Sequence, residues 1–110
     1  MQPSQPSQPT EKEILEKILA PLLEDFVYWF NRASCLLESE RMPFLTEEEQ
    51  EGLLARLRQA KKEVETAIML FRATGGQVGV DTKALLPWHK LVAECWDVAR
   101  RWRELKQGSF

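Results

Sequence analysis

Apolar side chains recur every three or four residues along three long stretches of this chain. Almost nowhere do they alternate with period two. The first stretch carries Leu15, Ile18, Leu19, Leu22, Phe26, Trp29, Phe30, Ala33 and Leu37. That spacing predicts a helix over 11–39. The second carries Leu53, Leu54, Leu57, Ala60, Val64, Ala67, Ile68 and Phe71, and predicts a helix over 47–73. Its wet face is Arg56, Arg58, Lys61, Lys62, Glu63 and Glu65. In the third, Leu91, Val92, Cys95, Trp96, Ala99 and Trp102 form the inner face of a helix over 82–106. Gln77-Val78-Gly79-Val80 is the nearest approach to a strand, and it is too short. Three long stripes joined by two links predict an all-α fold, an antiparallel three-helix bundle.

Local chemistry sets the boundaries. Thr10 with Glu13 and Thr46 with Glu49 both fit the capping box, in which hydroxyl and carboxylate each satisfy an amide at the helix start. Glu47 and Glu48 add negative charge where the dipole favours it. Pro21 lies deep in the first stripe, where a proline removes a backbone bond and crowds the preceding turn. A kink is expected there, and a true break near Ala20 makes four helices. Gly75 and Gly76 stop the second helix. Pro87 suits the first position of the third main helix better than its interior, and Asp81 is placed to cap a short turn before it. The Pro/Gln/Ser repeat over 1–10 cannot be buried and reads as a disordered tail, which leaves 11–107 as a single helical domain.

Composition narrows the class. The chain has 110 residues and a formal net charge of -2, so no basic field draws nucleic acid. Residues 1–50 carry four basic and ten acidic side chains, and residues 51–110 carry eleven and seven. Opposite charge on the two halves favours their packing together. Cys35 and Cys95 both sit in apolar patterns and are expected as small buried hydrophobes. No basic segment followed by an apolar one marks a signal peptide, and no apolar run approaches the ~18 residues of a membrane span. The expectation is a cytoplasmic protein.

Chemistry is hard to find. The loop Gly75-Gly76-Gln77-Val78-Gly79 lacks the Lys-Ser/Thr ending and the preceding strand of a phosphate cradle. His89 has no nucleophile beside it, and six residues separate it from Cys95, so neither a triad nor a zinc site forms. Glu47-Glu48-Glu49-Gln50-Glu51 points its carboxylates in different directions and cannot converge on one ion. These readings predict no catalytic residue, no metal and no cofactor.

The first helix is apolar over more of its circumference than a surface helix needs. Leu22, Phe26 and Trp29 make one stripe, and Leu23, Val27 and Phe30 make a second. Either it is buried on two sides or it offers a patch to a partner. Aromatic anchors dominate binding energy at interfaces, so the candidate partner-binding residues are Tyr28, Trp29, Phe30, Trp88 and His89.

The segments Pro21-Leu22-Leu23-Glu24-Asp25-Phe26, Tyr28-Trp29-Phe30, Pro43-Phe44-Leu45-Thr46-Glu47-Glu48, Ala73 through Asp81, and Pro87-Trp88-His89 carry a resemblance. With them the chain resembles a family of small cyanobacterial proteins of unknown function, over nearly everything after the tail. The resemblance implies a helical, soluble protein in a photosynthetic bacterial cell, with association at the periphery of thylakoid membranes as one setting. It supplies no activity. The expected function is non-enzymatic protein–protein interaction in assembly or regulation, with the partner unidentified. One alternative is a carrier of a flat apolar ligand such as a tetrapyrrole. Another is a homodimer closing on the apolar face of the first helix.

Overall fold

The computed structural model describes residues 11–75 and 82–107. Within them are three helices and no strand: α1 over Glu11–Ser39, α2 over Glu47–Ala73 and α3 over Thr82–Gln107. The tail, the Thr10 half of the first capping box, the Gln77–Val80 run and Asp81 lie outside the described residues. At ~1.5 Å per residue each helix is roughly 40 Å long.

Contacts across the helices fix their directions. Glu38 pairs with Arg58, Asn31 with Lys61 and Glu24 with Arg72, so α1 and α2 run antiparallel. Arg56 pairs with Glu94 and Glu63 with Trp88, so α2 and α3 also run antiparallel. Phe26 meets Trp88 and Trp29 meets Trp96, which makes α1 parallel to α3. The architecture is an up-down-up bundle, with the α1–α2 hairpin as its most extensive contact and α3 resting chiefly on α1. Two of the cross-hairpin ion pairs join acidic side chains of the first half to basic ones of the second.

The core follows a 4-3 alternation. In α1 the buried apolar positions are Leu19, Leu23, Phe26, Phe30 and Leu37; in α2 they are Leu53, Leu57, Ala60, Val64 and Phe71; in α3 they are Trp88, Leu91, Cys95 and Val98, with Val92 buried beside that alternation. A mean repeat of 3.5 residues keeps one seam facing inward, the spacing of coiled-coil packing. Phe26 stacks on Phe30 at 6.1 Å between centroids and meets Trp88 edge-on at 5.9 Å.

Both prolines lie inside helices. α1 runs unbroken through Pro21, so the four-helix alternative is wrong. α3 begins five residues before Pro87, which is therefore interior rather than first. The reason is shared: each proline sits on an exposed face, while nearby apolar side chains of the same helix pack inward. Leu23 and Trp88 supply that packing.

The ends of α2 match the sequence chemistry. Thr46 Oγ1 accepts from the Glu49 amide at 3.0 Å, and Glu49 Oε1 accepts from the Thr46 amide at 2.8 Å. Gly75 takes φ of +60°, the left-handed turn that ends the helix. The end of α1 is different. It has no basic side chain in its last turn, and buried Gln50 from α2 caps it instead. The Gln50 amide donates to Leu37 O at 2.9 Å and Glu40 O at 2.8 Å. Its carbonyl accepts from the Met42 amide at 2.9 Å and from Arg41 at 2.7 Å. One side chain thus uses its full hydrogen-bonding capacity to close the α1–α2 link.

Candidate functional site

The sequence candidates separate into two groups. Phe30 is fully buried and Trp88 is only 6% exposed, so both belong to the core and neither can anchor a partner. The Trp88 indole also donates to Glu63 Oε1 at 3.2 Å, which ties it to α2. Tyr28 is 53% exposed, Trp29 is half-buried and His89 is exposed. Trp96, expected on the inner face of α3, is 46% exposed, and Val98 takes the core position instead. The 4-3 seam explains the exchange: continuing from Trp88 through Leu91 and Cys95 reaches Val98 and passes Trp96 by.

Trp96 instead joins an aromatic ladder. Tyr28 meets Trp29 edge-on at 5.0 Å, and Trp29 meets Trp96 edge-on at 5.7 Å. The three rings cross from the outer face of α1 to that of α3. Beside them opens a groove of about 450 Å³ along the seam between the two parallel helices. Its walls include Trp29, Leu36, Trp96 and Trp102, with Arg32 on the α1 side and Arg103 on the α3 side. No residue of α2 lines it. Three of the chain's four tryptophans therefore surround one apolar cleft.

His89 does not line this groove. It precedes Trp96 by seven residues and so shares its face of α3, two turns away. The sequence reading missed Trp96, Trp102, Leu36, Arg32 and Arg103 as site residues. The available signal was the seven-residue step linking His89, Trp96 and Arg103.

Cys95 forms part of the groove floor, and burial pushes that thiol up to about 12, so it stays protonated and unreactive at neutral pH. Cys35 is exposed, contrary to expectation, and the two thiols form no disulfide. Among the described residues no three His, Cys, Asp or Glu side chains converge as metal ligands. Among them also no helix is long and apolar enough to cross a membrane.

A family profile matches residues 9–104, nearly the whole of the folded region. The chain belongs to the DUF2605 family, proteins of unknown function. No curated protein and no solved structure matches it. Membership agrees with the small helical family that the sequence resembles, and the groove must be read from its own residues.

Proposed function

We propose that this chain is a non-enzymatic protein-interaction module whose docking surface is the α1/α3 groove. The observation that supports the reading is the groove itself. Trp29, Trp96 and Trp102 line a cleft that three helices leave open, and Trp96 is nearly half exposed beside it. Large apolar side chains left in water along one seam are the usual mark of a binding face. The setting we propose is a cyanobacterial cell, in an assembly or regulatory role near the photosynthetic membranes; this rests on the sequence resemblance alone. Affinity capture from such cells tests it. Trp96→Asp removes the partners taken by the parent chain while the helical circular dichroism is retained. An unaltered partner set refutes the reading.

One observation favours a second reading, a carrier of a flat apolar ligand. The groove volume falls within the ~300–1,000 Å³ of small-molecule sites. Titration with haem, followed by visible absorbance, tests that alternative, and Trp29→Ala removes the signal if it holds. Light scattering over a concentration series tests the homodimer.

A further inference from the structure

The arginines of this bundle are not equivalent. Arg56 pairs with Glu94, Arg58 with Glu38, Arg72 with Glu24, and Arg100 and Arg101 with Asp97. Arg41 holds Met42 O and Gln50 in the α1–α2 link. Two remain without a carboxylate or a place in that link. Arg32 donates to Tyr28 Oη at 2.8 Å, which fixes its guanidinium on the α1 lip of the groove. Arg103 makes no ion pair among the described residues and lies on the α3 lip. Both are exposed. No Asp or Glu lines the groove at all, although acidic side chains outnumber basic ones in the chain as a whole.

We infer that the groove receives an amphipathic α-helix of another protein, with an apolar ridge in the cleft and carboxylates along its flanks. This rests on the docking reading above and specifies the occupant. The cleft is aromatic-walled, lies between parallel helices, and is lined from Trp29 to Leu37 on α1 and from Cys95 to Arg103 on α3, about two helical turns on each. That shape takes apolar side chains spaced i, i+3, i+4 and i+7. Flanking Glu or Asp then meet Arg32 on one lip and Arg103 on the other, as charge-assisted and sometimes bidentate pairs. A second copy seated groove to groove brings four guanidinium groups into one seam, and like charges there oppose association. An acidic helix meets no such repulsion.

The test uses the full chain and two synthetic peptides of roughly 18 residues, long enough to hold a helix. Both carry the same leucine ridge; one is flanked by Glu and the other by Lys. Binding is read from tryptophan fluorescence and by calorimetry. The Glu-flanked peptide binds about tenfold more tightly or better, and added salt weakens it. Arg32→Glu with Arg103→Glu reverses the preference toward the Lys-flanked peptide, and a circular dichroism melt checks that this variant is folded. Equal affinity for the two peptides, lost in Trp96→Asp, overturns the acidic-helix inference while leaving the groove as a docking surface. Binding of neither peptide overturns both. Sedimentation showing a dimer that Trp96→Asp dissociates overturns the inference in favour of a second copy.

Discussion

Gln50 offers the sharpest test of how this bundle is closed. Gln50→Glu keeps the side chain's shape and replaces its amide nitrogen with oxygen. The bonds to Leu37 O and Glu40 O lose their donor, while the interactions with the Met42 amide and Arg41 can persist. Gln50 is buried, and so is the Leu37 bond, so that carbonyl is left unsatisfied at a cost of about 1–3 kcal/mol. The Glu40 carbonyl lies nearer solvent and contributes about 1 kcal/mol. A stronger, charge-assisted bond from Arg41 offsets about 1 kcal/mol of the sum. The net loss is roughly 1–3 kcal/mol at pH 7, or on the order of 5–20 °C in Tm for a domain of this size. The introduced carboxyl is buried against two carbonyl oxygens, which disfavour its charged form by more than the Arg41 pairing favours it, so its folded-state pKa is raised above the unfolded value. The defect is therefore fully present above the folded pKa and shrinks as pH falls through it, because a protonated carboxyl can donate one of the two lost bonds. Urea unfolding followed at 222 nm, for parent and variant at pH 7 and pH 4.5, measures this directly. The gap narrows by about 1 kcal/mol at the lower pH. A loss under about 0.5 kcal/mol at pH 7, the scale of an ordinary surface substitution, refutes the capping role. So does a gap that is the same at both pH values.

Other outcomes follow from the same geometry. Trp88→Ala removes a core indole packed on Phe26 and costs about 3–5 kcal/mol in chemical denaturation; a folded variant of near-parental stability returns Trp88 to the surface. Thr46→Ala breaks the reciprocal cap of α2 and lowers stability by about 1 kcal/mol, measured by thermal melt. Of the two thiols, Cys35 reacts rapidly with a disulfide reagent and Cys95 only on unfolding, so a native chain with two fast thiols contradicts the structure. The raised pKa of Cys95 stabilises the fold fully below about 9, the unfolded value, and that contribution fades as pH rises toward about 12. The denaturation midpoint of the parent should therefore fall relative to that of Cys95→Val over that window.

The bundle was legible because its signals are local and periodic. Stripes of apolar residues, the Thr46/Glu49 box and Gly75 each act within a turn or two of their own position. Pro87 misled because its intrinsic preference for a helix start was weighed without the packing of Leu85 and Trp88 that carries α3 across it. Trp88 and Trp96 exchanged roles for a related reason. Apolar residues lie on several faces of α3, and only the 4-3 seam shared with α1 and α2 selects among them. Gln50 was hidden in a run of glutamates, and three of its four partners are main-chain groups eight to thirteen residues away that leave no side-chain pattern. It does fall three residues before Leu53, one step back along the α2 stripe, and that spacing was the available clue. The groove escaped notice because its walls come from helices some sixty residues apart. No single stretch of sequence shows Trp29, Trp96 and two unpaired arginines as neighbours.

The unequal contacts of the three helices set an order of opening. α3 is fastened mainly to α1, and its links to α2 include one exposed Arg56–Glu94 pair and the Trp88–Glu63 bond. A cooperative unit with few buried neighbours exchanges its amides at a lower free energy than the rest. Native-state hydrogen exchange should therefore release α3 as a block before the α1–α2 hairpin. The wall that carries Trp96 and Trp102 is then the least protected part of the bundle, so an occupant of the groove would slow exchange most in the helix that is otherwise first to let go.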